Sequence, residues 1–221
     1  FRTFDKNMDK YKKHIMGDAS EEPMPLYIIP DRKVSLADVR EGMRNHYEGT
    51  ELSMTNDPGA GAYKVPYRWR PMTFKSEGRE YFNERAIATQ QTGFVLIAQM
   101  RSWLPDAVGG ILWFGVDDAN TAVLTPMYAS ITVIPECYRR GNGSMTEFSW
   151  TSAFWIHNWV ANMAYNRYEP MIRDIRPVQK ELEDSYVDLV KNTDAKALEL
   201  LKSSPAQATA YLTEVCGKVA N

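Results

Sequence analysis

The side chains best suited to chemistry are two adjacent carboxylates and a scattered set of arginines. Asp117 and Asp118 end the apolar run "GGILWFGVDD" and precede a second run, "TAVLTPMY". Paired carboxylates can trade protons, hold a metal ion or close a turn. Neighbouring side chains on a strand point to opposite faces, so these two form no close dyad unless a turn brings them together. Aspartate at a strand end also bonds readily to nearby backbone. A hairpin connection is the first expectation. Pairing with an arginine or contact with a substrate comes second. A metal site comes last, because no further ligands lie close in sequence.

Arg68, Arg70, Arg85 and Arg101 lie just before or on the segment that leads to those aspartates. Arginine stays charged and offers a rigid fork that matches a carboxylate, so such a group suits recognition of an amino acid or a peptide terminus. The structural alternative is an ion pair with Asp117, Asp118, Glu80 or Glu84. Trp113 stands directly before "FGVDD". Core packing is its default reading, and the lining of a pocket is the functional one.

Other chemistries find no support. His14, His46 and His157 form no H-E-x-x-H pattern, and His157 sits among Phe154, Trp155 and Trp159, where packing is the expected role. There is no G-x-S-x-G elbow, and "GAGAYK" lacks the spacing of a phosphate loop. Cys137 and Cys216 match no metal-ligand spacing and no disulfide framework, so they read as unremarkable thiols. No cofactor is implied. A net charge of −2 gives no electrostatic case for nucleic acid. No apolar run reaches the roughly 18 residues of a membrane span. The chain starts at Phe1, which suggests a fragment or a processed piece.

The elements that must carry these residues can be read in outline. Residues 1–34 form an extended, proline-punctuated lead-in. Ser35 looks like an N-cap for a helix with Leu36, Val39 and Met43 on one stripe and Gly49 as its stop. Residues 50–82 read as a long structured loop. Strands follow at about Thr92 to Met100, over "GGILWFGVD", and within "TAVLTPMYASITVIP", where Pro126 marks an edge, a bulge or a break. The apolar runs are nearly continuous, so both faces of this sheet are expected to be covered. Past the loop "ECYRRGNGSMTEFSW" the chain turns helical over 150–221, with separate helices at "RDIRPVQKELEDSYVDLVKN", "DAKALELLKSS" and "PAQATAYLTEVCGKVA", the last tolerating Pro205 in its first turn. The layout is α+β, with antiparallel strands over about 92–134 followed by C-terminal helices. It fits one domain or the C-terminal part of a larger protein.

Several separate stretches resemble, in order, the C-terminal half of bacterial dipeptidases that use an N-terminal cysteine. They are "ERAIATQQTGFVLIAQMRSWLP", "GGILWFGVDDANTAVLTPMY", "IPECYRRGNG" and "SAFWIHNWVANMAYNRY", with "PDRKVSLADVREGMRNHYEGT" and "PYRWRP" ahead of them. The resemblance runs from about residue 25 to 185. It implies part of an N-terminal-nucleophile αββα sandwich and amide hydrolysis by a cysteine whose own α-amine serves as base. It also implies short peptide substrates and a missing N-terminal half as partner. A homo-oligomer is a further possibility. Neither Cys137 nor Cys216 can supply that α-amine, so the chain alone is expected to be inactive. The resemblance makes Arg85 the first candidate, and Arg68 the second, for a cation near the nucleophile. Arg70, Trp113, Asp117 and Asp118 are candidates for substrate contact. The rival reading is a non-catalytic packing or interaction module. The compartment stays open between exported and cytoplasmic, with the balance toward export.

Overall fold

The computed structural model describes residues 3–56, 58–67, 73–82 and 85–221. They fall into two compact units, residues 1–89 and 90–221.

In the first unit, a 3₁₀ turn at Lys6–Tyr11 leads into the short helix α1 (Lys12–Ile15). The lead-in is therefore helical from Lys6 to Ile15 and irregular from there to the start of α2. Helix α2 (Leu36–Met43) begins where expected. Ser35 accepts from the Asp38 amide (3.2 Å), and the Asp38 carboxylate accepts from the Ser35 amide (2.8 Å). This reciprocal arrangement satisfies two amides that a helix start leaves bare. The helix stops at Met43, before Gly49, which instead serves a later turn with φ 75°. The stretch read as one loop contains a hairpin, β1 (Thr73–Ser76) with β2 (Arg79–Phe82). Its two-residue connection, Glu77-Gly78, takes positive φ at both positions (50° and 79°), as a tight turn with the native strand twist requires.

The second unit is built on a three-stranded antiparallel sheet. β3 (Phe94–Met100) is followed by a helical turn, α3 (Asp106–Gly109), and then by β4 (Gly110–Val116) and β5 (Thr125–Tyr128). The order is β3-β4-β5, with Ile97 opposite Trp113 and Trp113 opposite Pro126. Pro126 thus sits on an edge strand, where its missing N–H costs least. Three helices follow: α4 (Ala153–Asn166), α5 (Tyr168–Ser203) and α6 (Pro205–Ala220).

One face of the sheet carries Val95, Ile97, Ile111, Trp113 and Tyr128, all buried. Helices α5 and α6 pack on β5 and on each other, with Val190, Ala197, Ala208 and Leu212 buried. Arg101 locks this layer. Its guanidinium pairs with Asp194 of α5 and donates to the carbonyls of Val108 (2.6 Å) and Gly109 (3.3 Å). Tyr128 donates to the same Asp194 (2.7 Å).

Two expectations change. The stretches read as separate helices within 171–203 are one helix of 36 residues. No glycine or proline interrupts it after Pro177, and Asp194, at the expected break, is held by Arg101 and Tyr128. The sheet is covered on one face only: on the other, Phe94 (62%), Leu96 (44%) and Met100 (69%) are exposed. Among the described residues, no helix is long and apolar enough to cross a membrane.

Candidate functional site

The aspartates close the end of β4. Asp117 takes φ 67°, a left-handed backbone that aspartate tolerates better than bulkier residues. Its amide donates to the Gly93 carbonyl (2.8 Å), and its carboxylate accepts from the Asp118 amide (2.7 Å) and from Asn158 of α4 (2.6 Å). Asp118 is fully buried. It accepts from the Thr121 amide (3.1 Å) and hydroxyl (3.2 Å) and from the Tyr165 hydroxyl (3.2 Å).

The segment beyond them is buried too, and side chains of α5 serve its backbone. Gln179 donates to the carbonyls of Asn120 (3.2 Å) and Ala122 (2.6 Å), and Arg176 donates to Asn120 (2.9 Å). Glu183 accepts from the Leu124 amide (2.9 Å), and Tyr168 donates to the Asn120 side chain (3.0 Å). A buried loop must place its backbone polar groups somewhere, and this one places them on neighbouring helices.

The remaining expected site residues are dispersed. Trp113 lies on the helix-covered face, 1% exposed, and donates its indole N–H to Gln99 (3.0 Å). Arg85 is exposed in the first unit, where its carbonyl accepts from the Tyr47 hydroxyl. Arg68 and Arg70 lie outside the described residues. His157 is half-buried, and burial holds its imidazole below the ordinary value against the opposing pull of Asp117.

Both thiols are sheltered. Cys137 donates to the Ala220 carbonyl (3.1 Å) and Cys216 to that of Pro126 (3.7 Å). Burial pushes both thiols up, away from the reactive thiolate.

The residues that sequence reasoning passed over line a cleft of about 600 Å³ at the exposed side of β4. Phe114 and Val116 contribute from the strand, Phe154 and Trp155 from the start of α4, and Arg139 and Arg140 from the intervening loop. That loop is tightly organised. Asn142 donates to the carbonyls of Glu136 (3.1 Å) and Thr151 (2.9 Å) and accepts from the Ser149 hydroxyl (2.6 Å). Gly143 takes φ 82° and lies so close to Trp155 that a Cβ would come within 2.9 Å of the ring. Trp155 in turn donates to the Ser144 carbonyl (3.1 Å). The available signal was "RRGNGS": two glycines around an asparagine, directly after two cations.

Comparison with known proteins gives this geometry a family. Residues 4–181 match the profile of "Peptidase family C69". A "Probable dipeptidase B" of Lactococcus lactis subsp. lactis is 26% identical over 216 residues, covering 95% of this chain and 40% of that protein. A "Probable dipeptidase" of Latilactobacillus sakei is 26% identical over 206 residues, covering 91% and 38%. "Dipeptidase A" of Lactobacillus helveticus is 22% identical over 172 residues, covering 77% and 30%. The chain thus spans about 40% of the length of the first of these relatives.

Proposed function

Because the chain belongs to peptidase family C69, we propose that it is the C-terminal portion of a dipeptidase whose N-terminal cysteine lies outside these 221 residues. The observation that carries this reading is the family match together with relatives named as dipeptidases, of which the chain spans about 40%. Two features of the molecule support it. The only two sulfur nucleophiles available, Cys137 and Cys216, are buried, hydrogen-bonded to carbonyls and shifted away from the thiolate. The sheet also leaves one face open, with Phe94, Leu96 and Met100 exposed in a row. Unpartnered apolar surface of that kind marks a place where another layer packs. The upstream half of the same enzyme is that layer in this reading, and a second copy of the chain is the other candidate.

The chemistry follows from the nucleophile. A cysteine with a free α-amine attacks the peptide carbonyl, the amine takes the thiol proton, and nearby donors hold the oxyanion. Arg85, with Arg68 as the alternative, is the residue of this chain proposed to steady the thiolate or a substrate carboxylate. Asp117 and Asp118 act as the framework of the strand end.

The test is hydrolysis. The 221-residue chain is expected to leave dipeptides intact, and the longer polypeptide of the same reading frame is expected to cleave them. Replacing the first residue of its mature form by alanine should abolish cleavage. Cleavage by the short chain, or full activity after that replacement, would refute the proposal.

A further inference from the structure

Asn142 and Gly143 form the one Asn-Gly pair in the chain. Asparagine in that setting carries its own reaction. The amide nitrogen of the next residue attacks the side-chain carbonyl carbon, and glycine, with no side chain, leaves that nitrogen least shielded. The fold treats the two reacting groups differently. The Asn142 side chain is fully engaged. Its Nδ2 donates to the carbonyls of Glu136 (3.1 Å) and Thr151 (2.9 Å), and its Oδ1 accepts from the hydroxyls of Ser149 (2.6 Å) and Thr151 (3.1 Å). A carboxamide has two donor hydrogens and two acceptor lone pairs, so none is left over. The Gly143 amide, by contrast, has no acceptor among the described residues, and Gly143 is only half-buried. The nitrogen that would leave is therefore the one that ties the loop to Glu136 and to Thr151, directly before the N-cap of α4.

We propose that Asn142 is a deamidation site that the closed loop guards, and that the carboxylate it becomes keeps the loop from closing again. The Gly143 nitrogen bonds to Asn142 Cγ, the Cγ–Nδ2 bond breaks, and Nδ2 leaves as ammonia with the proton that the Gly143 nitrogen gives up. Water then opens the resulting imide at either carbonyl, to aspartate or isoaspartate. In the closed loop, Nδ2 must first be pulled from two carbonyls. The reaction therefore runs from the open form, at a rate that follows the open population. After conversion, the carbonyls of Glu136 and Thr151 face a carboxylate oxygen in place of an N–H donor, and both lose a hydrogen bond. Isoaspartate also extends the backbone by a methylene directly ahead of Gly143. There is no slack at that point, since even a Cβ on Gly143 would come within 2.9 Å of the Trp155 ring. The product is a one-way record of loop opening in the cleft wall, which Asn142, Gly143 and Trp155 line together. Its formation needs only water and does not depend on the peptidase chemistry.

Peptide mass spectrometry of the 221-residue chain, incubated in mildly alkaline buffer with and without guanidinium chloride, tests the site. The unfolded chain should deamidate at Asn142 ahead of its other asparagines. The native chain should do so at least about tenfold more slowly at the same position. Asn142→Asp stands for the product. Trypsin should cut that variant after the exposed Arg140 at least about tenfold faster than the parent, because two lost hydrogen bonds shift the loop toward its open form. Cleavage after the exposed Arg173 of α5 should keep the parent's rate, which marks the opening as local. Equal deamidation in the native and unfolded chain, or no preference for Asn142 when unfolded, would overturn the proposal. So would unchanged cleavage after Arg140, or equal acceleration after Arg140 and Arg173. The comparison of native with unfolded chain needs no variant, so it stands even where Asn142→Asp disturbs folding.

Discussion

Two polar loops lean on α4, and they use their hydrogen-bonding groups in opposite ways. From Asp117 to Leu124, buried polar groups are matched by Asn158, Tyr165, Tyr168, Arg176, Gln179 and Glu183. From Arg139 to Ser152, the loop orders itself through Asn142 and Ser149, while the first three amides of α4 and the Arg140 guanidinium have no partner among the described residues. Burial of polar groups without partners is costly, so the buried segment is matched by neighbouring helices, while groups of the exposed loop that reach water need no protein partner. The more conspicuous motif, the paired aspartates, is tied into the fold by its hydrogen bonds to Thr121, Asn158 and Tyr165. The plainer "RRGNGS" borders the cleft.

The contrast can be broken first at its strongest point. Asp118→Ala removes the acceptor for the Thr121 amide and the Tyr165 hydroxyl in a fully buried site, and a loss of about 3 kcal/mol is expected in urea unfolding. A loss below ~0.5 kcal/mol would mean that the aspartate loop does not hold the strand end.

Gly143→Ala should cost less, about 2 kcal/mol, because it strains a left-handed residue and drives a methyl into Trp155. Its melting temperature should fall while Gly141→Ala, left-handed but facing open space, falls by less.

A smaller effect follows from His157. Its imidazole is held below the ordinary value, so the unfolded chain takes up a proton first as pH drops through about 6.5. Stability should decline from there until the folded imidazole protonates too. His157→Gln should flatten that part of a stability–pH curve. The smallest change is expected for Arg140→Gln, whose melting curve should match the parent within ~0.5 kcal/mol. A larger loss would make Arg140 part of the framework and erase the contrast.

Much of the framework could be read from residues alone, for local reasons. Ser35 with Asp38 makes its own cap, Pro205 fits a first helical turn, and the three strands announce themselves by apolar runs and a proline at the edge. The hairpin at 73–82 was hidden because its strands are four residues long and β1 is solvent-exposed throughout, so no burial pattern marks it. The unity of α5 was hidden because "NTDAK" reads as a polar break, while the ion pair that holds Asp194 comes from Arg101, the residue directly after β3 and 93 positions earlier. The open sheet face was misread because an apolar run looks the same whether its cover lies inside the chain or outside it. The cleft needed β4, a loop and α4 together, and no spacing encodes that meeting.

The most direct measurement concerns the two sulfurs that these residues do contain. In the longer polypeptide, the initial rate of dipeptide hydrolysis with both Cys137→Ser and Cys216→Ser should stay within about twofold of the parent, as expected for buried thiols outside the reaction. A fall on the order of a thousandfold, with the melting curve unchanged, would place the nucleophile here and contradict a catalytic sulfur supplied from elsewhere.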